Sequence, residues 1–269
     1  MKTLANCKIN LGLNITERRP DGYHNIETIF YPIPLADELA VEEHDSDLLE
    51  TSGIPVVCDP PKNLVVKVLY LLRKQGFNIP ELKISLKKNV PNGAGLGGGS
   101  SDAAFMMKIL NKKFHLGLTE EAMEESLSTL GADCPVFIKN KPVYAEGIGN
   151  IFKEISLDLS GWHLTLVKPD IFVPTRDAYA AVTPKRPETN LRQIIAQPVH
   201  TWKHSLRNDF EDSVFCKYPE IKEIKKQLYS LGAVYASMSG SGSCVFALSK
   251  EKLQLGISME EHFTHQCML

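Results

Sequence analysis

The chain carries no excess of positive charge. Lys and Arg number 30 against 32 Asp and Glu, a formal net charge of −2 at pH 7. That removes the broad basic field which binding to nucleic acid or an anionic membrane requires. Long apolar runs are missing too. A bilayer span needs about 20 apolar residues, and the best stretch, Leu64 to Leu72, is interrupted by Lys67. There is no C-x-x-C pair: the 6 cysteines, at positions 7, 58, 134, 216, 244 and 267, are scattered, which suits a reducing compartment better than a disulfide framework. Leu4-Ala5-Asn6-Cys7 has the outline of a lipoprotein cleavage site, but the three residues before it offer no apolar signal region. The expectation is a cytoplasmic protein. The Walker pattern G-x-x-x-x-G-K-[ST] is absent. The pairs His200/His204 and His262/His265 have no neighbouring acidic or cysteine complement, so no protein-held metal is expected.

What is present is an ordinary globular composition: 269 residues, 43% hydrophobic and 23% charged, enough for two smaller domains. Residues 4–15 and 26–42 read as strands around a turn at Arg18-Arg19-Pro20-Asp21-Gly22. Leu64 to Lys74 reads as a helix with Asn63 as N-cap and Gly76 as its stop. Leu82, Ile84 and Leu86 alternate with polar residues, the period of a strand with one wet face. A helix from Ser100 or Ser101 to about Asn111 is expected, with Asp102 in its first turn complementing the dipole. Another runs from Thr119 to Gly131. Cys134 to Ile138 and Pro142 to Ala145 read as short strands. Beyond about residue 155 a second set begins: strands at His163–Val167, Val234–Ala236 and Cys244–Leu248, and helices over 205–217 and 219–231. The elements suggest mixed α/β halves with antiparallel pairing.

The strongest local signal is Pro91-Asn92-Gly93-Ala94-Gly95-Leu96-Gly97-Gly98-Gly99-Ser100-Ser101. Glycine density lets the backbone approach a ligand closely. The loop runs into a helix start, where unpaired N–H groups and the positive end of the dipole converge on an anion. Ser100 and Ser101 add hydroxyl donors. The bland alternative is a linker or packing turn. Gly93, Gly95 and Gly98 also fit G-x-G-x-x-G, yet the preceding strand alternates where a Rossmann strand is buried on both faces, and Pro91 intervenes. Dinucleotide binding is therefore disfavoured.

This loop resembles the phosphate loop of the GHMP kinase superfamily, and other segments agree in order. They are Lys8 in the strand Ala5 to Asn10, Gly131-Ala132-Asp133-Cys134-Pro135, and Ala236-Ser237-Met238-Ser239-Gly240-Ser241-Gly242-Ser243. Pro20-Asp21-Gly22-Tyr23-His24 and Ala145-Glu146-Gly147-Ile148-Gly149 point to a branch that acts on a cytidine diphosphate-linked methylerythritol. Ala94 and Cys7 stand where Gly and Ala are common, both small exchanges. The resemblance implies an α+β, two-domain fold: an N-terminal ribosomal-protein-S5-domain-2-like domain over 1–155 that binds ATP, and a C-terminal ferredoxin-like domain over 156–269, with the active site between them. It implies ATP as phosphoryl donor, Mg²⁺ delivered with ATP, and a small-molecule acceptor phosphorylated at its 2-hydroxyl in non-mevalonate isoprenoid biosynthesis. Nucleic acid and membrane partners are not expected.

Residue roles follow from the same resemblance. Asp133 would take the acceptor proton and Lys8 would stabilise charge beside it; taken alone, they read as a turn or cap residue and a strand-edge charge. Asn10 shares a strand face with Lys8 and matches a substrate-contacting Asn; otherwise it is a surface amide. Tyr23 and His24 would stack on and hydrogen-bond to cytosine, with Tyr179 opposing and Thr175 touching phosphate or sugar; each could equally be a packing or turn residue. Asn63, Leu64 and Lys88 match the adenine pocket, though Asn63 alone reads as a helix cap and Lys88 as a solvated strand end. Gly240 and Ser241 lie in a second Ser/Gly loop beside the substrate, or in a plain hairpin turn. Rival functions are a mevalonate or sugar kinase of the same superfamily and a non-catalytic nucleotide-binding module.

Overall fold

In the computed structural model, which describes residues 1–56 and 58–269, the alternating N-terminal segments become two long strands, β1 (Lys2–Arg18) and β2 (His24–Glu43). There follow β3 (Leu48–Gly53), α1 (Leu64–Lys74), β4 (Leu82–Lys88), α2 (Gly98–Lys113), α3 (Glu120–Ser128), α4 (Val136–Lys139), β5 (Val143–Glu146) and β6 (Ile151–Glu154). The remainder is β7 (His163–Lys168), α5 (Thr175–Ala180), α6 (Leu191–Ile195), α7 (Trp202–Ser205), α8 (Phe210–Lys217), α9 (Pro219–Ser230), β8 (Tyr235–Met238), β9 (Val245–Ser249), α10 (Ile257–Glu260) and β10 (Phe263–Met268). The elements gather into two compact units. The first holds Met1–Cys7, Leu35–Asn92 and Gly97–Lys141, and the second Lys8–Pro34, Gly93–Leu96 and Pro142–Leu269. These units are interleaved along the chain, unlike the linear division at 155/156.

In the first unit β4 pairs antiparallel with β2 (Glu38↔Lys87 to Glu43↔Leu82) and parallel with β3 (Leu48↔Lys83 to Gly53↔Lys88). Leu82, Ile84, Leu86 and Lys88 share the buried face of β4. Asn63 caps α1, its Oδ1 accepting from the Val65 amide at 3.1 Å. The apolar stripe Val65, Val68, Leu69 and Leu72 is buried, as its helical spacing dictates, and α1 packs on α2. Thr119 caps α3 through Ala122 N at 3.2 Å.

In the second unit the His24–Pro34 part of β2 pairs with β5 (Thr28↔Ala145 to Phe30↔Val143), and β5 with β6. A four-stranded antiparallel sheet runs in the order β10-β7-β9-β8. Against it pack α8 and α9, and the stripe Ile221, Ile224 and Leu228 joins Val167, Met238, Val245 and Ala247 in one buried cluster.

Four expectations need correction. Cys134 to Ile138 is no strand: Pro135 sits at φ −61°, ψ −30° and opens α4, a case in which a short apolar run cannot separate strand from buried helix. Of the helix expected over 205–217 only α8, Phe210–Lys217, forms; Ser205 is the last residue of the separate α7 and the chain between them is not helical. There the chain leaves the helix so that Leu13 can pair with it: Leu13 N donates to Arg207 O at 2.9 Å and Asp209 N to Leu13 O at 2.8 Å. The helix α2 begins at Gly98, so Asp102 lies beyond the first turn. The helix α3 ends at Ser128 with Thr129 as C-cap, before Gly131. No helix among the described residues is long and apolar enough to cross a membrane.

Candidate active site

The glycine loop is open at Asn92, Gly93 and Gly99, which are exposed, and anchored where Ala94 and Leu96 are buried. Gly97 is the N-cap of α2 in the left-handed region, φ 71°, which disfavours residues with a Cβ. The first helical hydrogen bond of α2 runs from Ser101 N to Gly97 O at 2.9 Å, so the amides of Gly98, Gly99 and Ser100 precede the ladder and are oriented for an acceptor outside the helix. Ser100 is half-buried, whereas Ser101 is fully buried and its hydroxyl donates to Asn6 O at 2.6 Å. Ser101 therefore ties the helix start to β1 and has no proton left for a phosphate.

Within the second unit a buried polar cluster surrounds Gly95. Lys8, 3% exposed, donates from Nζ to Asn10 Oδ1 at 2.6 Å and to Gly95 O at 3.0 Å, and lies over the Phe30 ring at 4.9 Å. Asn10 Nδ2 donates to Thr28 Oγ1 at 2.9 Å, and Thr28 Oγ1 donates to Gly12 O at 2.6 Å. Ser239 Oγ donates to Gly95 O at 2.9 Å and accepts from Asn10 N at 3.2 Å. The alternatives of a water-facing lysine and a surface amide are thereby excluded. The approach is close enough that a Cβ on Gly95 would lie 1.9 Å from Ser239 O. Backbone bonds reinforce it: Lys8 N reaches Leu96 O at 3.0 Å and Cys244 N reaches Ala94 O at 3.3 Å.

The second Ser/Gly loop is a hairpin turn between β8 and β9, closed by Ser239 N to Cys244 O at 2.9 Å. It is also joined to the cluster through Ser239. Gly240 O is held by Asn208 Nδ2 at 2.8 Å, and Ser241 Oγ meets Thr175 Oγ1 at 3.2 Å at the start of α5. His24 stacks directly on Tyr179, centroids 4.9 Å apart and planes 22° apart, and Tyr179 meets the edge of Phe210 at 4.8 Å. Those two rings leave no slot for a third between them, whereas Tyr23 is 62% exposed. Burial, then the nearby Arg18 charge, lowers the His24 pKa, so its imidazole is neutral at pH 7 with one donor and one acceptor nitrogen.

In the first unit Leu64 reaches the loop: its Cδ1 is 3.9 Å from where a Gly99 Cβ would stand. Asn63 spends its Oδ1 on the cap of α1 and is 9% exposed. Lys88 is no solvated strand end. It is 2% exposed, and its Nζ donates to Asp37 Oδ2 and, at 2.7 Å, to Asp102 Oδ2. Asp133 sits half-buried in the turn between α3 and α4. The adjoining Cys134 thiol is pushed up to about 11, chiefly by burial and further by the Asp133 carboxylate.

Sequence reasoning overlooked Thr28, Asn208, Asp37 and the pairing of Asp102. Asn208 had a signal, since Asn-Asp inside an apolar helical stretch marks a break and cap; its Oδ1 accepts from Phe210 N at 3.0 Å. Lys88 had one as well: it stands two residues after Leu86, on the buried face of β4. Nothing local marks Thr28 or Asp37.

Comparison with known proteins bears on the family and the fold. The family models "GHMP kinases N terminal domain" and "GHMP kinases C terminal" match residues 63–141 and 191–256. A 4-diphosphocytidyl-2-C-methyl-D-erythritol kinase of Bacteroides fragilis is 55% identical over 100% of both chains. One from Bacteroides thetaiotaomicron is 54% identical over 92% of each. A crystal structure of 4-(cytidine 5'-diphospho)-2C-methyl-D-erythritol kinase superposes with a TM-score of 0.80 at 34% identity, covering 92% of this chain and 90% of that one. The Methanococcus jannaschii mevalonate kinase superposes with a TM-score of 0.72 at 13% identity, covering 100% and 98%, a likeness of fold alone. The architecture is thus the α+β, two-domain GHMP kinase fold, and the chain belongs to the GHMP kinases, in the family of the 4-diphosphocytidyl-2-C-methyl-D-erythritol kinases.

Proposed function

We propose that the chain transfers the γ-phosphoryl group of ATP to the 2-hydroxyl of 4-diphosphocytidyl-2-C-methyl-D-erythritol, releasing ADP and the 2-phosphate, a step of non-mevalonate isoprenoid biosynthesis. The observation that carries this reading is the glycine loop. Its Gly95 carbonyl is bound by Lys8 and Ser239, while the amides at the start of α2 precede the helical ladder. Donors without a competing carbonyl form a phosphate cradle that needs no Walker lysine. The kinases of the same family at 55% and 54% identity support the acceptor.

Phosphoryl transfer asks mainly for positioning and charge stabilisation. In this reading Asp133 accepts the proton of the attacking hydroxyl. The Lys8 ammonium, held by Asn10 and Gly95, stabilises charge on the acceptor oxygen. Tyr23 offers an exposed face to the pyrimidine, and neutral His24 offers it a donor and an acceptor. Thr175, Gly240 and Ser241 contact the diphosphate or sugar, Asn63 and Leu64 line the adenine side, and Lys88, its ammonium taken by Asp37 and Asp102, supports that side without touching the base. Mg²⁺ arrives with the nucleotide, screening its phosphates. We place the domain boundary at 155/156, supported by the two family models on either side of it, and the protein in the cytoplasm, supported by its free cysteines.

The test is coupled ADP release with Mg²⁺ against a panel of acceptors. Turnover with the cytidyl-linked methylerythritol, at least a hundredfold above the uridyl analogue, mevalonate, homoserine and galactose, is expected. Equal rates with any of these refute the acceptor assignment, and no turnover with any acceptor refutes the kinase reading.

A further inference from the structure

The cluster of Lys88, Asp37 and Asp102 brackets the glycine loop. Before the loop, Asp37 Oδ1 accepts from Asn89 N at 2.6 Å and from Val90 N at 2.8 Å. After it, Asp102 projects from the fifth residue of α2. Lys88 Nζ joins the two carboxylates. The space they enclose is full: a Cβ on Gly98 would lie 2.9 Å from Val90 Cγ1 and 3.5 Å from Lys88 Nζ. Lys88 is 2% exposed, Asp102 3% and Asp37 0%. One ammonium thus faces two carboxylates in a dry site, and Asp102 Oδ1 has no hydrogen-bond partner. A bare anionic oxygen without a donor is costly in such surroundings, and far less so as the neutral acid.

We propose that Asp102 is a positioning residue that, with Asp37 and Lys88, fastens both ends of the glycine loop for nucleotide, and that it is the neutral acid when nucleotide is bound. The inference rests on the proposed nucleotide site. The charged groups acting on Asp102 are Lys88 at the end of β4 and Asp37 on β2; among the described residues α1, α3 and α4, which pack on α2, contribute none. Burial raises the Asp102 carboxyl to about 7, against the pull of Lys88 and with a further push from Asp37. Burial alone would lower the Lys88 ammonium, but the two carboxylates outweigh it and hold it above the usual lysine range. A polyphosphate at the start of the same helix disfavours a second negative charge there, so nucleotide binding draws a proton onto Asp102.

The sign follows. Affinity for Mg-ADP is greatest below pH 7, falls as pH rises through the free-enzyme value, and levels off above the value in the complex. Each unit by which the ligand raises that value is a tenfold loss of affinity. The experiment is isothermal titration of the full chain with Mg-ADP from pH 6 to 9, in buffers of two ionisation enthalpies, with Asp102→Asn beside the wild type. Asn keeps an acceptor for Lys88 but cannot titrate, and ADP's own ionisation is common to both proteins. The expected result is proton uptake near pH 8 and a falling affinity in the wild type, with both absent from the variant. Superimposable pH profiles, or a variant weakened equally at every pH, overturn the proposal. Should Asp102→Asn not fold, the carbonyl ¹³C shift of Asp102 in the wild type decides: a midpoint that Mg-ADP leaves in place overturns it, and one moved upward supports it. A wild type that binds no Mg-ADP at all removes the nucleotide site itself, and this inference with it.

Discussion

Replacing Gly95 by alanine tests whether the close approach of the two Ser/Gly loops organises the site. The new Cβ would stand 1.9 Å from Ser239 O and 2.8 Å from Ser239 C, at a φ of +74°. Carbon needs about 3.3 Å from a carbonyl oxygen, so the loops must part by about 1.4 Å. The left-handed conformation costs a residue with a Cβ about 1–2 kcal/mol, and overpacking a tight contact about 1–3 kcal/mol more. Together these give about 2–5 kcal/mol, or a drop in Tm of roughly 5–20 °C for a chain of this size. The shift also strains the bonds of Lys8 and Ser239 to Gly95 O. Misplacement of reacting groups by about 1 Å costs on the order of 100-fold in rate, so kcat/KM should fall by about that factor even well below the new Tm. The control is Gly117→Ala: Gly117 has a φ of +71° with nothing within 4 Å of its would-be Cβ. It bears the conformational cost alone and should keep full activity. ADP release and thermal melts on both variants separate the effects. If Gly95→Ala melts and turns over like Gly117→Ala, the contact with Ser239 organises nothing.

Three further outcomes are expected. Asp133→Asn should retain ADP affinity, measured by titration calorimetry, while kcat falls about 10²–10⁴-fold, the usual share of a general base; a near-normal rate removes Asp133 from proton transfer. Asn208→Ala loses the bonds to Met238 O and Gly240 O, both 2.8 Å and buried, and should lower stability in urea by about 1–3 kcal/mol while raising KM for the acceptor; an unchanged KM would mean that Gly240 needs no such support. The raised Asp102 carboxyl, about 7 against the ordinary 3.8, contributes stability that is present below the unfolded-state value and lost as pH rises toward 7. Relative to Asp102→Asn, the wild type should therefore weaken in urea from about pH 4 to pH 7 and hold a constant deficit above that; parallel curves would show that Asp102 titrates normally.

Local chemistry by itself determined several elements and the glycine loop. Asn63 before an apolar stripe of helical spacing became the capped α1, Leu82 to Lys88 became a strand with one buried face, and Thr119 capped α3. The glycine loop was legible because left-handed backbone and bare helical amides need that composition wherever they occur. Lys8, Asn10, Tyr23, His24 and Asp133 could be singled out by their motifs, but not what they touch. Only the tertiary structure decided that Lys8 lies buried against Gly95, that His24 closes on Tyr179, and that Lys88 is shared by Asp37 and Asp102. These partners lie far apart in the chain, and no local periodicity encodes them. The short apolar run at Val136 and the break at Asn208 were settled the same way. A four-residue run fits either strand or helix until its neighbours are in place, and a helix yields when a distant strand, here at Leu13, offers its backbone better hydrogen bonds.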